Sequence, residues 1–127
     1  MAYDRQTFKD RVEEHVIGAY IEFYKARLAQ KNGKTKWVQH WMTEVRNLLD
    51  RALFATIKHD VRGFKDKRKA IDQVIASVRG KDDSFRRSAE FIIKRDFQVT
   101  KLPVHLDQHD YDTFWSRVES TVEAALL

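Results

Sequence analysis

A helical beat of apolar residues runs through the first sixty positions with one break, and it constrains the fold more than any other feature. Phe8, Val12, Val16, Ala19 and Phe23 recur every three or four residues, with Ile17, Tyr20, Tyr24 and Leu28 as a second stripe beside them. That spacing puts side chains on one face of an α-helix, whereas a half-buried strand would alternate. It predicts a first helix over residues 4–30. Asn32 and Gly33 end it, because both tolerate the left-handed backbone of a helix C-cap.

The beat resumes after Thr35, a plausible N-cap. Trp37, Val38, Trp41, Met42, Val45, Leu48, Leu49, Ala52, Leu53 and Ile57 occupy more than one face of a helix over residues 35–59. A helix that is apolar on several sides is expected at the centre of a bundle. Gly63 marks the next break. Ile71, Val74, Ile75 and Val78 predict a third helix over residues 64–79, with Gly80 at the C-terminal glycine position. Asp82, Asp83 and Ser84 offer N-caps for a fourth helix reaching about residue 96, whose inner face is Phe85, Ala89, Ile92 and Ile93. Residues 98–108 form the longest loop. Asp107 or Asp110 caps a last helix carrying Tyr111, Phe114, Trp115, Val118, Val122 and Leu126.

A single proline and four glycines leave few places for strands to turn. No repeat or domain boundary divides the 127 residues, which is the usual length of one domain. The fold expected is therefore all-α: one compact bundle of about five helices, mostly antiparallel, with short loops.

The chain has no cysteine, so disulfides, thiolate metal sites and cysteine nucleophiles are excluded. The first residues are polar, and no apolar run approaches the roughly 18 residues of a membrane span. A cytoplasmic protein that does not enter a membrane is expected. No glycine-rich phosphate loop and no serine-hydrolase elbow is present, and no cofactor is implied.

The net charge of +5 is unevenly placed. Residues 62–101 carry twelve Lys and Arg against six Asp and Glu, whereas residues 102–127 carry Arg117 against five acids. Apart from Arg79, the candidate phosphate contacts of the basic middle are Arg62, Lys65, Lys67, Arg68, Lys69, Lys81, Arg86, Arg87, Lys94, Arg95 and Lys101. If the third and fourth helices pack as a hairpin, these residues form one positive surface. Its natural partner is a polyphosphate, because each neutralised phosphate releases condensed counterions. Interleaved acids make a plain solvated face the alternative. A helix-turn-helix around Gly80 fits poorly, since Arg79, Lys81 and Arg86 fall where that motif buries side chains.

Other constellations are weaker. His105 and His109 are four apart, a metal-ligand spacing, but they straddle a helix start beside the proline. All-α ribonucleases of the HEPN class carry an Arg and a His on one helix at a shorter separation. Arg51 and His59 have seven residues between them. His15 and His40 lack the Glu-x-x-His pairing of a di-metal bundle. Trp37 and Trp41 lie one turn apart beside Lys34 and Lys36, and are the rings best placed for a partly exposed role.

The function expected is non-catalytic: a basic helical protein that contacts nucleic acid, RNA or DNA, or a nucleoprotein complex, through helices three and four. The alternatives are a protein–protein module, including self-association of the basic middle with the acidic last helix of another copy, and a small helical nuclease or metal-dependent enzyme.

Overall fold

In a computed structural model, which describes residues 5–61, 64–102 and 105–127, the first apolar stripe folds as α1 (Arg5–Lys31). Gly33, at φ +74°, ends it. The Lys34 amide donates to the Ala29 carbonyl (2.8 Å) and the Gly33 amide to Gln30 (3.3 Å), which is a Schellman closure. After a 3₁₀ turn (Thr35–Trp37), the chain continues without a break through α2 (Val38–Arg46), a π-helical segment (Asn47–Leu53) and α3 (Phe54–Asp60). Then follow α4 (Lys67–Arg79), α5 (Asp82–Phe97) and α6 (Gln108–Leu126). No strand occurs among the described residues. Counted as continuous rods of backbone, α2 and α3 are one helix, and the five expected helices are present.

The π segment has a cause in the sequence. Val45, Leu49, Leu53 and Ile57 are all buried, each four residues after the last. On an α-helix a four-residue step overshoots one turn by about 40°. The wider i→i−5 winding, in which the Phe54 amide donates to the Leu49 carbonyl, keeps the stripe on one face.

Two helix starts differ from expectation. α4 begins at Lys67, not at 64, because Asp66 is extended and its carboxylate accepts the Lys69 amide at 3.0 Å. α5 has Lys81 at its N-cap, and the expected caps Asp82, Asp83 and Ser84 lie within its first turn. The Asp82 carboxylate is used elsewhere: it accepts from the Trp115 indole (2.9 Å) and from Arg86 (2.8 Å). α6 starts as read, with Asp107 and Asp110 accepting from each other's backbone amides at 3.0 Å in a capping box.

The hairpin of α4 and α5 does not form. Gly80 is right-handed (φ −63°, ψ −15°), so the chain passes from α4 into α5 through a slight corner instead of reversing. Both helices then run alongside α1 in its own direction. Arg5 donates to Gln73, Lys81 reaches Glu13 and Tyr24 donates to Glu90, with sequence separations of 68, 68 and 66. A nearly constant separation means parallel axes.

The other contacts run in opposite senses. Arg11 meets Asp60 (3.2 Å) and His15 meets Thr56 (3.0 Å), so α3 is antiparallel to α1. Lys31 meets Asp107 and Phe23 meets Phe114, so α6 is antiparallel to α1 as well. Arg79 pairs with Glu119 and Asp82 with Trp115, which makes α6 antiparallel to α4 and α5. The architecture is an up-down-up-down bundle of four rods: α1, α2 with α3, α4 with α5, and α6. Consecutive rods are antiparallel.

The central helix is α1, not the second helix as its apolar pattern suggested. α1 packs against every other rod, and α6 beside it bridges the two outer rods. Among the described residues the outer rods have no extensive contact with each other. Between α1, α5 and α6 lies a closed cluster of rings. Tyr20 and Phe114 approach to 5.1 Å, Phe114 and Trp115 to 5.3 Å, and Tyr20 and Phe85 to 6.1 Å, all buried.

Candidate nucleic-acid interface

Lys67, Arg68, Lys69, Lys81, Arg86, Arg87, Lys94 and Arg95 are strung along the third rod rather than gathered on a hairpin face, with Lys65 just before it and Lys101 just after it. α4 and α5 have 13 and 16 residues, so end to end they extend up to about 45 Å. Arg62 lies outside the described residues. Four of the remaining ten are neutralised within the chain. Arg68 pairs with Asp72 and Glu123, Lys81 with Glu13 (2.9 Å), Arg86 with Asp82 (2.8 Å) and Arg95 with Asp96 (3.3 Å). Hydrogen bonding to Arg68 holds the Glu123 carboxyl below its ordinary range, and the same bond raises Arg68. The Arg86 guanidinium also lies 4.0 Å from the centre of the Tyr111 ring. The other six, Lys65, Lys67, Lys69, Arg87, Lys94 and Lys101, have no carboxylate partner among the described residues.

Of those four, only Arg68 is matched by the acidic last helix, whose other paired acids hold cations elsewhere. Asp107 and Asp110 hold Lys31, Asp110 also meets Arg27 at 3.1 Å, and Glu119 and Glu123 hold Arg79 and Arg68. The Asp110 amide, with help from Lys31, keeps the Asp107 carboxyl low. These four acids are paired inside one chain, whereas Asp112, the fifth, accepts only from Gln108 (2.9 Å) among the described residues.

On α5, Arg87, Phe91 and Lys94 fall at i, i+4 and i+7, opposite the buried Phe85, Ala89 and Ile93. Phe91 is 68% exposed. Below this stripe α5 closes with its own Schellman turn. The Val99 amide donates to the Lys94 carbonyl (3.0 Å) and the Gln98 amide to Arg95 (3.2 Å), with Gln98 at φ +55°.

α1 and α5 are parallel, so their two C-terminal turns lie at the same end of the molecule, where the second rod begins. A groove of about 530 Å³ opens there between the outer rods. Its floor is Leu28, Ala29 and Asn32 of α1 and the turn after it. One wall carries Lys34, Trp37 and Trp41, and the other Phe97, Val99 and Lys101. Trp37 and Trp41 stack at 6.1 Å, and Trp41 meets Phe97 at 6.2 Å. Lys36 lies over the Trp37 ring at 5.6 Å. Trp37 is 46% exposed and Phe97 43%.

Sequence reasoning found Trp37, Trp41 and Lys101 but missed Phe97, Val99 and Phe91. The available signal was phase. Phe91 and Phe97 sit off the inner stripe of α5.

The histidine and arginine pairs are not brought together. His105 precedes the Asp107 cap and His109 lies in the first turn of α6, so no single helical face carries both. Arg51 and His59 are exposed on the π segment and on α3. His15 is half-buried against Thr56, and burial lowers its pKa. His40 stands edge-on to Trp37 at 6.3 Å. Among the described residues, no three His, Asp or Glu side chains are grouped to hold a metal ion, and no helix is long and apolar enough to cross a membrane.

No known family model matches the chain, and neither a curated protein nor a solved structure matches it.

Proposed function

We propose that this chain is a non-catalytic nucleic-acid-binding protein. It engages a phosphate backbone, free or within a nucleoprotein complex, through the third rod and the segment that follows it, in a cytoplasmic setting. The observation that carries this reading is the division among the expected cations. Arg68, Lys81, Arg86 and Arg95 are matched by acids, while Lys65, Lys67, Lys69, Arg87, Lys94 and Lys101 on the same stretch are left unmatched. Four of the six lie on α4 and α5, with Lys65 just before that rod and Lys101 just after it, so one continuous stretch of chain presents them all. Three of them stand at the start of α4, where the helix dipole opposes positive charge.

Contacts of this kind position a nucleic acid without reading its sequence. Six phosphate contacts give a slope of log affinity against log salt of roughly −4 on a single strand. The test is fluorescence anisotropy with labelled oligonucleotides at two or more salt concentrations. The variant carries Lys65→Glu, Lys69→Glu, Arg87→Glu and Lys94→Glu together. The expected result is weaker binding and a slope shallower by several units. Unchanged affinity and slope would refute the reading.

A protein-docking module is the second reading, favoured by the apolar floor of the groove. It predicts capture of a protein ligand that is indifferent to those four charge reversals.

A further inference from the structure

We infer that the groove between the outer rods is a base-stacking site for unpaired nucleotides, so that the chain prefers single-stranded over duplex nucleic acid. This inference rests on the phosphate-binding reading above and names the substrate class of that interface.

The argument begins with the rings. Trp37, Trp41 and Phe97 form a row with centroid spacings of 6.1 and 6.2 Å, and the two outer members are nearly half exposed. Their exposed faces are therefore open to a ligand. Base faces stack on such rings whatever their sequence. In a duplex these faces are already covered by neighbouring base pairs. The volume of about 530 Å³ is within the roughly 300–1,000 Å³ range of small-ligand pockets, so the site admits flat groups the size of bases.

Charge then fixes the orientation. Among the described residues no carboxylate lines the groove, and its rim carries Lys34 and Lys101, with Lys36 beside Trp37. None of these three lysines has a carboxylate partner among the described residues. The floor, by contrast, lies at the C-terminal turn of α1, where backbone carbonyls carry partial negative charge. A phosphate is therefore disfavoured on the floor and favoured at the rim, while an uncharged base is accepted between. Asn32 places an amide on the floor within the same concavity.

The site also continues onto the third rod. Lys94 is one turn before Phe97 on α5, and Phe91, 68% exposed, follows on the same outer stripe with Arg87. Cation and ring thus alternate from the groove along α5, as a strand with alternating phosphates and bases requires.

The test compares a twelve-residue oligothymidylate with a duplex of the same length, using the full chain, anisotropy and intrinsic tryptophan fluorescence. Trp115 is buried against Asp82, so a Trp115→Phe background confines the fluorescence signal to the groove pair. The expected result is quenching on single-strand addition and affinity at least about tenfold above the duplex. Trp37→Ala with Phe97→Ala should remove that preference, while Trp37→Phe, which keeps a ring, should retain most of it. A second, unaltered readout is the salt slope, which the ring variants should leave nearly unchanged. Equal affinity for both forms, unaffected by the ring variants, would overturn the groove inference and leave the phosphate reading standing. Binding of neither form would overturn both. Saturable binding of an acidic amphipathic peptide in the groove, with no displacement by the oligonucleotide, would assign the groove to a protein instead.

Discussion

The molecule has two clusters of aromatic rings built from the same residue types at similar distances, and they differ in what covers them. The inner cluster of Tyr20, Phe85, Phe114 and Trp115 is enclosed by α1, α5 and α6. The outer cluster of Trp37, Trp41 and Phe97 joins two rods that otherwise stay apart, and opens to water. Ring spacing alone does not separate them. Phe114 is wholly buried and Trp37 is 46% exposed, and that difference decides which cluster holds the fold and which is free to take a ligand.

The contrast can be broken in order of expected effect. Phe114→Ala removes the ring common to most contacts of the inner cluster, and should cost about 3–5 kcal/mol in a urea titration. If it costs less than about 1 kcal/mol, the inner cluster is not the structural one. Asp110→Ala comes next. Asp110 is buried, closes the capping box of α6, and meets Arg27 and Lys31 at 3.1 and 3.0 Å. Its loss should cost about 2 kcal/mol, through the lost cap and the unmatched charges.

Glycine substitutions sharpen the comparison of the two rods that flank the groove. Gly33→Ala forces a side chain into φ +74° and should cost about 1 kcal/mol, loosening the wall that carries Trp37. Gly80→Ala has the opposite sign. A Cβ at Gly80 would lie 3.4 Å from the Ser77 carbonyl, at φ −63°, so reduced freedom in the unfolded chain should stabilise by about 0.5 kcal/mol. The smallest expected effect is Trp37→Ala, at about 0.5 kcal/mol or less on stability. A loss of several kcal/mol there would show that the outer cluster also holds the fold.

Much of the fold is legible in the sequence because helix existence depends on local periodicity. The stripes of Phe8 to Leu28, Ile71 to Val78 and Tyr111 to Leu126 all lie on buried faces of observed helices. What they face is not local. Gly80 is compatible with both a reversal and a continuation, and which occurs depends on distant packing: Val74, Val78, Phe85 and Ala89 are buried against the rest of the bundle, and Lys81 and Arg79 meet Glu13 and Glu119. Which cations of the basic stretch find an acid is not local either. Arg68 is matched by Glu123, 55 residues away, so a count of nearby acids cannot tell which cations stay free. Likewise the apolar excess of the second rod signals a helix that is apolar on several sides, without saying whether a partner inside the chain covers it. Trp37 and Trp41 are half of the groove; the other half arrives from Phe97, sixty residues on.

The π segment turns chain length into orientation. It absorbs residues that an ordinary helix would have to carry around to a new heading, and so it sets the bearing of everything upstream of it. Removing one residue between Val45 and Ile57 would leave each remaining side chain chemically intact yet swing the tryptophan pair by about 100° about the rod axis, away from Phe97. In that stretch the spacing is the inherited quantity: substitutions there are errors of fit, whereas a single-codon deletion is an error of aim.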